Sequence, residues 1–144
     1  MREEIETQFV TIFRKLIAEY RHELKRDVTG PQIQVLEALE RNGSSKVSEV
    51  AEMLYVTVGA VTLLSDRLLK AGLLNRERSE RDRRVVMLSI TDQGRELLTE
   101  IKGIRRRLFA KYFGTLTEDD LRDLNRILNK VTEMLGEGDY GRTR

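Results

Sequence analysis

Apolar positions recur on a helical period along most of the chain. Ile5, Phe9, Ile12, Phe13, Leu16, Ile17, Tyr20 and Leu24 follow one another at three- and four-residue steps and predict a first helix with a wide apolar face. A face that wide calls for more partner surface than one neighbouring helix offers. Residues 27–30 break the pattern. Thr29 and Gln32 have the spacing of a capping box, and Pro31 sits in the first turn, where its missing N–H costs nothing. Ile33, Leu36 and Leu39 give the second helix its buried side, and Asn42-Gly43 closes it. Ser48 is placed to cap a short third helix carrying Val47, Val50, Ala51 and Leu54. After Tyr55-Val56, Thr57 caps a fourth helix with Val61, Leu64 and Leu68 facing inward, and Gly72 suits the left-handed position beyond its end.

The period then changes from helical to alternating. Val86, Leu88 and Ile90 point to one face of a half-buried strand. A second short strand precedes it from Leu73, and the two are joined by an arginine-loaded tip. Thr91 caps a long helix bearing Leu97, Leu98, Ile101, Ile104, Leu108, Phe109, Tyr112 and Phe113, which Gly114 interrupts. Thr117 with Asp120 forms a second box. Leu121, Leu124, Ile127, Leu128, Val131 and Leu135 make the last apolar stripe. Residues 136–144 are Gly-rich and polar and are expected to form a flexible tail.

This order predicts a mainly α fold with a small β-hairpin wing, a winged helix-turn-helix core flanked by long dimerisation helices. The expected segments are an N-terminal dimerisation helix (1–29), the winged lobe (30–90), C-terminal dimerisation helices (91–135) and the tail (136–144). Excess apolar face at both ends is most simply covered by a second copy of the chain, which predicts a homodimer.

Composition narrows the chemistry. The 144 residues carry 35% charged residues and a net charge of only +2, so clustering of charge matters more than its total. No cysteine is present, which excludes disulfides, zinc–thiolate sites and thiol redox sensing. The single histidine, His22, has no partner histidine, so no metal site is expected. Carboxylates sit in mixed-charge helical stretches without the spacing of an acid–base pair, and neither a phosphate loop nor a nucleophile motif occurs. No catalytic residue and no cofactor are expected, and the protein is read as a non-enzyme. No apolar run reaches membrane-spanning length, and the N-terminus does not resemble a signal peptide. The expected location is the cytoplasm.

Two segments carry the candidate function. The third and fourth helices form a helix-turn-helix, and the side of the fourth away from its apolar residues shows Val58, Gly59, Thr62, Leu63 and Asp66. Gly59 allows close approach, while Thr57 and Thr62 can donate to phosphate or meet a thymine methyl. An ordinary surface helix with a threonine cap would look the same. The hairpin is more specific: five arginines face three acids between Arg76 and Arg84. Arg81, Arg83 and Arg84 suit phosphates or a narrow minor groove, and Asp82 can accept a hydrogen bond from Arg84 and fix its direction. A solvated charged loop is the plainer alternative. The two segments in this order point to double-stranded DNA.

The same features resemble the MarR family of winged helix-turn-helix regulators. The likeness runs from about Ile5 to Leu135. Its strongest part is the wing signature, D-x-R, a strand and L-T-x-x-G, here Asp82-Arg83-Arg84, Val85 to Met87 and Leu88-Ser89-Ile90-Thr91-Asp92-Gln93-Gly94, with Ile90 where leucine is usual. The segment Val61 to Arg76 matches a pattern ending in G-L-x-x-R. The resemblance implies a homodimer joined through the first and last two helices. It also implies a transcriptional regulator on a pseudo-palindromic operator, a repressor as many relatives are or an activator as some are, with the fourth helices in major grooves and the wings in minor grooves. By position, Arg84 would be the minor-groove arginine and Asp82 its orienting partner, with Thr57, Val58, Gly59 and Thr62 facing the major groove. Release by a small aromatic or anionic effector is a further implication. The rival from another class is a winged-helix module that binds protein and never touches DNA.

Overall fold

Helices start and stop where the sequence supplies a local partner for the backbone. The computed structural model describes residues 1–135. Helix α1 (Arg2–Leu24) ends at Lys25, and α2 (Gly30–Asn42) begins with the expected box. The Gln32 N–H donates to Thr29 Oγ1 at 3.3 Å, and the Thr29 N–H donates to Gln32 Oε1 at 3.0 Å. Strand β1 (Ser45–Lys46) leads directly into α3 (Val47–Leu54). Here the structure corrects the sequence: the N-cap is Lys46, not Ser48. Pairing in β1 holds Lys46 extended, so helical geometry starts at Val47 and Ser48 already lies in the first turn. A lysine side chain cannot accept a hydrogen bond. Only the return half of a box exists, from the Lys46 N–H to Glu49 Oε1 at 3.0 Å.

Helix α4 (Val58–Lys70) is capped by Thr57, whose Oγ1 accepts from the Ala60 N–H at 3.1 Å. It closes in a Schellman motif: the Leu73 N–H donates to the Leu68 carbonyl at 3.0 Å and the Gly72 N–H to the Leu69 carbonyl at 3.1 Å. The φ of 74° at Gly72 is the left-handed conformation this ending needs. Strands β2 (Leu74–Arg78) and β3 (Val86–Ile90) follow, then α5 (Asp92–Phe113) and α6 (Glu118–Met134). Thr117 and Asp120 form the expected box on α6. Hydrogen bonding from Thr117, backbone first and side chain second, holds the Asp120 carboxyl below the usual carboxylate range.

The sheet has three antiparallel strands in the order β1-β3-β2, where the sequence predicted two. Leu74 pairs with Ile90 and Arg78 with Val86, and on the other edge of β3 Ser45 pairs with Leu88. Helix α2 packs against α3, α4 and β3. It therefore buries Val35 and Ala38 in addition to Ile33, Leu36 and Leu39, more than the single side expected. On α4 the inward residues are Val61, Ser65 and Leu68, while Leu64 is half-buried. Leu88, Ile90, Leu97, Leu98, Ile101 and Ile104 complete the core.

The start of α5 is docked by two residues of the wing motif. Thr91 Oγ1 accepts from the Gly94 N–H at 3.0 Å and donates to the Gly72 carbonyl at 2.7 Å. A Cβ on Gly94 would stand 2.3 Å from the Leu73 carbonyl oxygen and 2.7 Å from Ile90 Cγ1. Only glycine fits there.

The chain divides into two compact units, Met1–Arg106 and the residues from Arg107 onward. The first helix and α5 as far as Arg106 lie in the same unit as the winged lobe. Ion pairs of α5 with α2, Lys102–Glu40 at 2.8 Å and Arg105–Glu37 at 3.2 Å, lie within the first unit. So does an uncovered apolar face on α1, made by Ile5, Phe9, Ile12 and Phe13. In the second unit Phe109 and Phe113 stack at 4.8 Å, and α6 leaves Ile127, Leu128 and Val131 about half exposed. The expected tail, 136–144, lies outside the described residues. Among the described residues no single helix is long and apolar enough to cross a membrane.

Candidate nucleic-acid interface

Helices α3 and α4 are joined by three residues and bent by 109° at the break, within the range of helix-turn-helix pairs. The turn is built on Tyr55 at φ 55° and on the Val56 N–H donating to the Ala51 carbonyl at 3.0 Å. Because α4 buries Val61, Ser65 and Leu68, its opposite side presents Val58, Gly59, Thr62 and Leu63 to solvent. Val58 is 51% and Leu63 57% exposed. The Thr62 hydroxyl donates to the Val58 carbonyl at 2.9 Å. A Cβ on Gly59 would meet nothing nearer than Thr57 Oγ1 at 4.0 Å. Packing within the chain therefore does not require glycine there.

Asp66 sits at the end of this face, with one of its carboxylate oxygens bound. Arg76 Nη2 from β2 binds Asp66 Oδ1 at 2.5 Å. Periodicity places Asp66 outward and gives Arg76 no structural partner. In the sequence Arg76 stands out only as one of the five hairpin arginines and as the last residue of the G-L-x-x-R pattern.

The wing tip is organised by short-range hydrogen bonds. The Ser79 N–H donates to the Val85 carbonyl and the Val85 N–H to the Asp82 carbonyl, both at 2.9 Å. Arg78 Nη1 donates to the Arg83 carbonyl at 3.3 Å, a brace that the arginine count alone did not assign. Asp82 Oδ1 accepts twice from Arg84, from its backbone N–H at 3.0 Å and from Nε at 3.2 Å. The Arg84 side chain remains 92% exposed, and Arg81 and Arg83 are exposed as well. The tip thus displays three guanidinium groups, one aimed by a carboxylate. The structure gathers the sequence-predicted residues into two places, Thr57, Val58, Gly59, Thr62 and Leu63 on α4 and Arg81 to Arg84 on the wing, with Asp66 tied to the base of the hairpin.

The family model described as the MarR family matches residues 28–86, from α2 to the start of β3. The chain is 36% identical over 131 residues to the HTH-type transcriptional repressor MdtR of Bacillus subtilis, covering 90% of this chain and 84% of that protein. The chain belongs to the MarR family. Among solved structures, this MarR-family chain is similar to the YusO protein from Bacillus subtilis, with a TM-score of 0.80 and 35% identity over 92% of this chain and 94% of that one. The FabT protein of Streptococcus pneumoniae in complex with DNA shares the fold, with a TM-score of 0.80 at 24% identity, covering 94% of this chain and 97% of that one. The names of these relatives are those of transcription regulators where they state an activity.

Proposed function

We propose that the protein is a dimeric, sequence-specific DNA-binding transcriptional regulator, acting as a repressor on a pseudo-palindromic operator. The observation that carries this reading is the Asp82–Arg84 pair at the wing tip: an exposed guanidinium, aimed by a carboxylate, beside a helix-turn-helix of ordinary geometry. Arg84 enters the minor groove and the outward side of α4 the major groove, while Arg81 and Arg83 meet phosphates. A second copy of the chain covers the apolar faces of α1 and α6 and supplies the second half of the reader. Phosphate contacts supply most of the affinity, so binding falls steeply with salt. Such a regulator works where the chromosome is, in the cytoplasm. Release by a small aromatic or anionic effector completes the reading, and thermal shifts with a panel of phenolic acids test that part.

The deciding experiment is selection of duplexes from random oligonucleotides by the full-length protein. Enrichment of an inverted repeat is the expected result. Absence of any enrichment would replace this reading by that of a protein-binding winged helix.

A further inference from the structure

We propose that the outward side of α4 reads thymines through their C5-methyl groups, with Val58 and Leu63 as the specificity-determining contacts. This inference rests on the reading that α4 enters the major groove. It assigns what α4 recognises there.

The major groove offers hydrogen-bond acceptors on guanine and adenine, donors on cytosine and adenine, and one apolar group, the thymine methyl. Bidentate reading of guanine needs arginine or lysine, and that of adenine needs asparagine or glutamine. None of these four residue types occurs between Thr57 and Asp66. The polar groups that do occur are short side chains partly engaged within the fold. Thr57 Oγ1 accepts from Ala60, the Thr62 hydroxyl proton goes to the Val58 carbonyl, and Ser65 is buried. Asp66, which could accept from a cytosine amine, has its Oδ1 bound by Arg76 and its direction set by that bond. The bulkiest side chains this face leaves in solvent are aliphatic: Val58 at 51% and Leu63 at 57% exposure, with the exposed Thr62 between them in sequence. Gly59 adds no Cβ between these side chains and an approaching groove. The cations that α4 does carry, Arg67 and Lys70, lie in its last turns, placed for phosphate and not for base edges. An aliphatic surface on the same lobe as the arginines of the wing fits a polyanion that presents methyl groups.

The test uses an enriched duplex and the full-length protein. Replacing single thymines by deoxyuridine removes the methyl and leaves every Watson–Crick and groove hydrogen-bonding group in place. The expected result is a loss of about fourfold in affinity, the worth of one buried methyl, at one or two positions in each half-site. At those positions Leu63→Ala or Val58→Ala should abolish the sensitivity to deoxyuridine, because the contact is already gone. Both residues are exposed, and unchanged melting temperatures will show that the variants fold. Deoxyuridine without effect at every position, or losses that simply add to those of both variants, would overturn the proposal. A protein that enriches a duplex yet ignores the methyls loses this inference alone. One that enriches no duplex loses the DNA reading with it.

Discussion

Asp66 and Arg76 join α4 to the base of the wing, with Arg76 Nη2 2.5 Å from Asp66 Oδ1. The two are ten residues apart, on either side of the Schellman turn. Their side chains are 46% and 28% exposed, so solvent screens the pair and its worth is modest. Arg76→Ala should cost about 1 kcal/mol, as expected for a half-exposed ion pair, and should speed amide exchange in β2. Thermal denaturation with hydrogen exchange will check both. A stability change with no change in β2 exchange would show that the pair does not hold the hairpin.

At the tip, the roles of charge and of aim can be separated. Arg84→Ala should weaken operator binding by about 1–3 kcal/mol, the range for a direct arginine contact, without lowering the melting temperature. Asp82→Ala adds a positive charge to the tip but frees the Arg84 side chain, whose re-ordering costs about 0.5–1.5 kcal/mol on binding. If Asp82 aims Arg84, fluorescence anisotropy titrations will show weaker binding in Asp82→Ala. Tighter binding would mean that net charge is all that counts there.

Gly59 is predicted to matter to DNA and not to the fold. An added methyl meets open space, and alanine is the better helix former by about 1 kcal/mol. Gly59→Ala should therefore keep or raise the melting temperature while lowering operator affinity. Equal affinity would place the groove floor farther from the α4 backbone.

Gly94 is predicted to behave in the opposite way. Its Cβ would collide with the Leu73 carbonyl and with Ile90, so Gly94→Ala should destabilise the fold by about 1–3 kcal/mol, as overpacking of a core does. Urea unfolding will read the loss. DNA binding below the melting transition should be affected only through it.

The Tyr20 hydroxyl is buried and has no hydrogen-bond partner among the described residues. Tyr20→Phe is accordingly expected to leave stability unchanged or to raise it by about 1 kcal/mol, the cost of an unsatisfied polar group being at least that. Burial pushes the Tyr20 phenol above its ordinary value of 10.0, with Arg105 opposing and Glu37 and Glu100 adding to the shift. The folded state then holds its proton longer than the unfolded chain does. This contribution is intact below pH 10 and is lost as the pH climbs from there through the folded value. Stability of the wild type should fall more steeply than that of Tyr20→Phe above pH 10, and parallel pH curves would contradict the shift.

What could be read from the sequence was what is local. The boxes at Thr29/Gln32 and Thr117/Asp120, the Thr57 cap and the Schellman glycine are decided by residues within a few positions of one another. The wing pair Asp82–Arg84 is two residues apart and was legible for the same reason. Strand β1 was not legible, because two residues carry no period and its partner Leu88 is 43 positions away. The misplaced cap at Ser48 follows from that omission, since pairing of Lys46 sets where α3 begins. Ser65 was passed over because a small polar residue gives no apolar signal, although its size lets it fill an inward position on α4. The bond between Asp66 and Arg76 needed the tight turn at Gly72 to bring the two together.

The pairing of Ser45 with Leu88 has a mechanical consequence. A hairpin rooted only in its own turn could swing like a loose finger, but here its inner strand is stitched to the two residues that launch α3. Load on the tip passes into the scaffold helix instead of being absorbed by bending. On the proposed reading, α4 and the wing would then meet DNA as the jaws of one preset calliper.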